Sequence, residues 1–262
     1  MSANGVGVET ALRASRDRGR KLLVPYVTGG LGSDWVDVLR AMVAAGADAV
    51  EVGIPFSDPV MDGPTIQEAS QRSLQLGTTP PGIIHELHNV DVAVPLIAMT
   101  YYNLVFRGGH RRIAHSLADA GVRGAIIPDI PLEELDEWWP AAEDAGVETV
   151  LLAAPVTPDE RLAQICQRSK GFVYGVNVMG VTGERTTLGE AASVLAKRLK
   201  AITDKPVVMG FGVSTPEQAA EVAAVADGVV VASALMRLVL DGGGPDAVGE
   251  LVSRMREALD AG

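Results

Sequence analysis

Three carboxylates fall within one short stretch, VEVGIPFSDPVMDGPTIQ (50–67): Glu51, Asp58 and Asp62. Glu51 lies between Val50 and Val52, in an apolar run (47–54) that reads as a buried strand. A carboxylate is costly in apolar surroundings unless it is paired or protonated, and burial raises its pKa. A carboxyl group that keeps its proton near neutral pH suits general acid–base chemistry. Asp58 and Asp62 follow on a loop where Pro55, Pro59 and Pro64 fix φ and remove backbone donors, so the loop is expected to be stiff and non-helical. By residue type alone, Asp58 and Asp62 are turn residues; Asp62 precedes Gly63.

These groups must be held by their surroundings, and the chain repeats one unit throughout. A short basic amphipathic segment within 1–20 predicts a leading helix. LLVPYVTGG (22–30) predicts a strand, 35–45 a helix stopped by Gly46, and ADAVEVG the next strand. Helices are predicted over 65–76 and 83–90, and a strand over VPLIAMTYY (94–102). Five further strands alternate with helices at 110–120, 132–145, 159–169, 190–203, 216–224 and 245–259. The strands are short and apolar without alternation, as expected when both faces are buried in a parallel sheet. A helix–Ala-Gly–strand junction recurs in AAGADAVEV, DAGVRGAII and DAGVETVLL. The pattern predicts an α/β chain forming a single (β/α)8 TIM barrel over 1–262, with an additional N-terminal helix. The alternative, a doubly wound open sheet, lacks the GxGxxG turn after its first strand.

Composition narrows the function. The chain has 262 residues, 47% hydrophobic and 21% charged, so it can bury a large core. Its net charge of -11 and pI of 4.8 argue against nucleic acid or an anionic membrane as main partner. The single cysteine, Cys166, permits no internal disulfide and reads as a packed core thiol. No signal-peptide pattern or run of about 20 apolar residues is present, so a cytoplasmic protein is expected. His85 and His88 are three residues apart, but no third ligand is near in sequence, so no metal is expected.

In such a barrel the site is built at the C-terminal strand ends. Tyr26, Thr28, Glu51, Asp62, Tyr101, Asp129, Tyr174, Gly183, Gly212 and Ser233 fall there. Three successive Gly-rich or small-residue loops, MGVTGERT, GFGVS and ASA, close the last third of the chain. Small residues let backbone N–H groups approach an anion, and a helix N-terminus adds its dipole, so a phosphate site is expected.

The sequence resembles the α subunit of tryptophan synthase. VEVGIPFSDPVMDGPTIQ matches that family's signature, and YVTGG, YYNLVF, IIPDIPLEE, GVTGER and MGFGVSTPEQA match further landmarks in order, over about 22–259. The resemblance implies a carbon–carbon lyase that cleaves indole-3-glycerol phosphate to indole and glyceraldehyde 3-phosphate by a retro-aldol reaction. It implies that Glu51 protonates the indole ring at C3 and that Asp62 hydrogen-bonds the indole N–H. It places Tyr26, Tyr101, Asp129, Tyr174, Thr182, Gly183, Gly212 and Ser233 around substrate. It implies no cofactor in this chain and a pyridoxal-phosphate β subunit as partner in an α2β2 complex. Asp58, Pro59, Asn103, Phe106 and Pro131 would face that partner. Asp129 has a second reading from residue type, as a strand-end cap on a backbone N–H. The chain departs from the family pattern at Ala232, where glycine is usual before Ser233, at Asn177 and at Met61.

Two other functions fit parts of this pattern. A non-catalytic chain that activates a β partner by binding alone would not need Glu51, Asp62 and Tyr174. Another phosphate-binding barrel enzyme would be expected to carry a strand-end lysine on the second or third strand, and none is present.

Overall fold

Glycines at the ends of helices turn the chain back into the sheet. Gly46, Gly121 and Gly146 all have positive φ (100°, 82° and 73°), which a side chain would disfavour. The computed structural model describes residues 6–177 and 188–262. In chain order its elements are α1 (Val8–Arg16), β1 (Leu22–Thr28), α2 (Trp35–Ala44), β2 (Val50–Gly53), α3 (Pro64–Gln75), α4 (Pro80–Leu87) and β3 (Leu96–Met99). Then come α5 (Tyr102–Gly108), α6 (His110–Asp119), β4 (Val122–Ile126), a 3-10 turn (Leu132–Glu134), α7 (Leu135–Ala145), β5 (Glu148–Ala153), α8 (Asp159–Arg168) and β6 (Val173–Val176). The chain ends with α9 (Leu188–Lys200), β7 (Val207–Gly210), α10 (Pro216–Ala223), β8 (Gly228–Val231), α11 (Ser233–Leu240) and α12 (Pro245–Asp260).

The eight strands pair in parallel, each with its sequence neighbour, and β8 returns to β1 to close the barrel. The predicted (β/α)8 barrel with a leading helix is the observed fold. Three local expectations change. Pro64 does not extend the stiff loop; it occupies the first turn of α3, where its missing N–H costs nothing. The strand predicted to reach 102 stops at Met99, and Tyr102 opens the short helix α5. The segment predicted as helix from 132 begins as a 3-10 turn.

Side chains of alternate strand residues separate into two cores. Leu22, Val24, Ala49, Ile97, Ile126, Val150, Phe172, Val208 and Val230 fill the barrel interior. Val50, Val52, Ala98, Val207 and Met209 face the helices. Cys166 lies in the outer core as a buried thiol. Trp138 is buried and donates to Thr149 Oγ1 at 3.1 Å, whereas its neighbour Trp139 is half-buried beneath Arg168 and Lys170.

The N-terminal helix belongs to the interior core. Val8 and Leu12 of α1 are fully buried among the inward residues and close one end of the barrel. The residue at the N-cap of α1 is Gly7, which offers no side-chain cap. Glu148, the first residue of β5, supplies that function from a distance: its Oε2 accepts the Glu9 N–H at 2.7 Å, and the Val8 N–H also donates to this carboxylate. A Cβ on Gly7 would collide with Glu148 Oε1, which accounts for glycine there. Glu148→Ala should destabilise the fold by about 1–2 kcal/mol, the usual cost of a lost helix cap. Hydrogen exchange at the Val8 and Glu9 amides should accelerate with it; unchanged denaturation midpoint and exchange would refute the cap.

Candidate active site

Glu51 sits at the inward position of β2, in register with Tyr26 on β1 and Ile97 on β3. It is 1% exposed, and neither carboxylate oxygen has a hydrogen-bond partner among the described residues. Burial, reinforced by the negative charge of Asp62, pushes its pKa up to about 8. Glu51 therefore holds a proton at neutral pH, as the sequence reading expects of an acid catalyst.

Asp62 is half-buried on the loop after β2. Burial raises its pKa to about 6, while a hydrogen bond from the Tyr101 hydroxyl to Oδ2 at 3.0 Å pulls the other way. The two carboxyl groups thus occupy different environments, and between about 6 and about 8 one is ionised while the other is protonated. Thr28 is fully buried; its hydroxyl donates to Tyr26 Oη at 3.3 Å. Tyr174 is buried near the same groups: burial first, then the charges of Glu51, Asp62 and Tyr26, raise its hydroxyl pKa.

Room for the two inward tyrosines comes from glycines. A Cβ on Gly53, at the end of β2, would overlap the Tyr26 hydroxyl. A Cβ on Gly210, at the end of β7, would lie 2.6 Å from Tyr174 Cε2 and 2.7 Å from its Oη. Sequence reasoning passed over both residues. The available signal was a glycine ending an apolar strand, which marks close approach by a neighbour.

Tyr101 lies beside the site, but its hydroxyl is engaged by protein: it donates to Asp62 and accepts the Met61 N–H at 3.0 Å. Its ring stacks on Phe56 with centroids 5.0 Å apart. Asp129 lies at the edge of the site, where burial, the charge of Asp62 and its own charge raise the Tyr101 hydroxyl pKa. It is exposed, and its Oδ1 accepts the Tyr102 N–H at 2.8 Å, capping α5. Of its two expected roles, the structure displays the cap.

The phosphate candidates lie on the loops after the adjacent strands β7 and β8. Gly212 is exposed with φ of 75°. Ser233 opens α11, whose N-terminus at Ala232 has no side-chain cap. A helix start without a cap can receive an anion on its first-turn N–H groups. Thr182 and Gly183 lie outside the described residues.

The residues expected at a partner face gather on one side of the barrel mouth, after the consecutive strands β2, β3 and β4. Asp58, Asn103, Phe106 and Pro131 are exposed and Pro59 is half-buried. Val60 and Met61, which the sequence reading did not place there, add exposed apolar surface at 77% and 56%. Among the described residues, no group of three or more His, Cys, Asp or Glu side chains is arranged to hold a metal ion. None of the described helices is long and apolar enough to cross a membrane.

A closed parallel barrel with a protonated interior acid and a second carboxylate on the next loop defines a (β/α)8 enzyme built for acid–base catalysis. Comparison with known proteins specifies it further. The family model for the tryptophan synthase alpha chain matches residues 12–255. The tryptophan synthase alpha chain of Synechocystis sp. is 41% identical over 97% of this chain and 98% of its own length. That of Streptomyces avermitilis is 40% identical over 96% and 94%. A structure of Mycobacterium tuberculosis tryptophan synthase superposes with a TM-score of 0.89 at 36% identity, covering 97% and 98% of the two chains. The alpha subunit from Legionella pneumophila gives 0.87 at 32%, covering 100% and 99%. The chain belongs to the tryptophan synthase alpha chain family, lyases of tryptophan biosynthesis.

Two outcomes follow from the site. A raised carboxyl pKa in the fold means that ionising Glu51 opposes folding, so its contribution falls as pH rises from the ordinary glutamate value toward about 8. Glu51→Gln should therefore be more stable than the parent at pH 8, by roughly 4 kcal/mol, with the gap closing toward pH ~4.5. Denaturation midpoints across that range test it, and a constant gap would contradict the desolvation argument. Gly53→Ala should displace the Tyr26 hydroxyl and cut turnover by about tenfold or more, read as kcat in a steady-state assay.

Proposed function

We propose that this chain cleaves indole-3-glycerol phosphate to indole and glyceraldehyde 3-phosphate. The observation that carries the proposal is the pair of carboxyl groups at the barrel mouth. Glu51, buried and without a hydrogen-bond partner among the described residues, holds a proton at neutral pH, and Asp62 ionises below it.

Cleavage needs both states at once. Glu51 gives its proton to C3 of the indole ring, leaving an indolenine cation. The Asp62 carboxylate accepts a hydrogen bond from the indole N–H, and its negative charge stabilises that cation. The bond between C3 and the glycerol chain then breaks, with its electron pair restoring the indole ring. The adjoining glycerol hydroxyl becomes the aldehyde, and its proton returns to Glu51. Proton count and charge balance, and Glu51 ends as it began.

Tyr26 and Tyr174 form the walls beside Glu51, where flat rings suit an indole. The backbone at Gly212 and the first turn of α11 at Ser233 would take the phosphate. Ala232 retains its N–H, so the methyl it adds does not remove a donor. Thr182 and Gly183, on the loop after β6, would cover the bound substrate. Asp129 contributes by fixing α5.

The chain uses no metal or organic cofactor in this reading. Indole passes to a pyridoxal-phosphate β subunit within a cytoplasmic α2β2 complex. The face formed by Asp58, Pro59, Asn103, Phe106 and Pro131 would meet that subunit, and exposed Val60, Met61 and Phe106 give it apolar contact area.

The test is indole release from indole-3-glycerol phosphate, with and without a β chain. The parent should release indole, and Glu51→Gln should lose at least about a hundredfold in kcat. The parent's kcat/KM should rise with pH as Asp62 ionises at about 6 and fall as Glu51 loses its proton at about 8. Equal rates for parent and Glu51→Gln would sink the assignment, and no release by either would favour a binding-only role.

A further inference from the structure

Asp62 is held from two sides, and one of the holding residues has no part in the chemistry above. The residues from Pro59 to Asp62 form a tight turn in which the Asp62 N–H donates to the Pro59 carbonyl at 3.0 Å. From the barrel side, Tyr101 bonds the Asp62 carboxylate and receives the Met61 N–H. From the other side, Gln67 reaches back along the start of α3. Its Nε2 donates to the main-chain carbonyl of Asp62 at 2.9 Å and, less closely, to that of Pro59 at 3.4 Å.

We infer that Gln67 is a positioning residue for Asp62, stapling the backbone of the turn to α3 so that the carboxylate faces the barrel mouth. The inference rests on Asp62 acting in the reaction proposed above.

Three features support it. First, the anchor is rigid: Ile66, Ala69, Ser70 and Ser73 bury the inner face of α3, and Ser73 Oγ donates to the Gly29 carbonyl at 2.7 Å. Second, the chemistry of the side chain fits. The carboxamide nitrogen of glutamine carries two N–H donors, enough for two carbonyl acceptors, whereas a glutamate would set an acceptor-only group against both. Third, Gln67 is exposed and touches no core residue through these bonds, so the fold does not depend on it. The two restraints also divide the work. Tyr101 bonds the titrating oxygen, so it acts on geometry and on proton affinity together. Gln67 bonds only the main chain, so it acts on geometry alone.

Gln67→Met keeps the length of the side chain and removes its donors. Its kcat should fall by about three- to tenfold, the ordinary weight of one or two neutral hydrogen bonds. KM should change less, because the phosphate end of substrate is held on the opposite loops. The thermal midpoint should match the parent's. Titration of the Asp62 carboxyl by carbon-13 NMR, in the protein without substrate, should be unmoved in Gln67→Met. It should shift upward in Tyr101→Phe, where the bond that lowers its pKa is lost. A parental kcat in Gln67→Met would overturn the positioning role while leaving the reaction intact. An Asp62 titration displaced as far in Gln67→Met as in Tyr101→Phe would overturn the division between geometry and proton affinity. Absence of indole release by the parent chain would remove the reaction itself, and the inference with it.

Discussion

A carboxyl group without a hydrogen-bond partner among the described residues, inside a closed barrel, is the constraint on which the rest depends. Water would ordinarily hold such a group ionised. Inside the barrel the ionised form is disfavoured, and Glu51 retains its proton toward about 8. The surrounding sequence choices respect this. The neighbours of Glu51 on adjacent strands are Tyr26 and Ile97, and neither is a cation. A lysine or arginine at either place would pair with Glu51, lower its pKa and remove its use as an acid.

The second carboxylate is treated in the opposite way. Asp62 stands on a loop, half-buried, with a tyrosine hydroxyl on one oxygen. Its proton affinity lies below that of Glu51, and its charge makes Glu51 harder to ionise. The pair therefore holds one proton across the neutral range, on Glu51. Tertiary contacts hold the two groups differently. Glu51 is fixed by strand register. Asp62 is fixed by hydrogen bonds from Tyr101, just beyond β3, and from Gln67 of α3, which a loop needs because it has no ladder of its own.

Packing at the mouth follows from the same demand for space. Barrel interiors are filled by layers of side chains. Here Gly53 and Gly210 leave gaps at the top of two strands, and the rings of Tyr26 and Tyr174 occupy them. At the other end, Val8 and Leu12 of α1 fill the interior, and Glu148 stands in for the missing cap. One end is sealed with aliphatic residues, and the other is lined by polar aromatic groups around an acid.

The fold class and the principal acid are legible in the order and composition of the apolar segments. Eight apolar strands alternating with helices call for a parallel sheet covered on both faces, and the lack of a GxGxxG turn after the first strand favours the closed barrel over the open sheet. A glutamate in one of those runs is legible as buried whatever the rest of the chain does. The role of Asp62 was legible only through resemblance to a family, since an Asp before a glycine is an ordinary turn residue. Tertiary structure alone decided the rest. It gave Tyr101 to Asp62 and Asp129 to the start of α5, and it seated Tyr26 over Gly53, residues 27 positions apart in sequence. Hydrogen bonds and close contacts of this kind depend on strand register and loop path. Those are set by closure of the whole barrel, and no local pattern of residues records them.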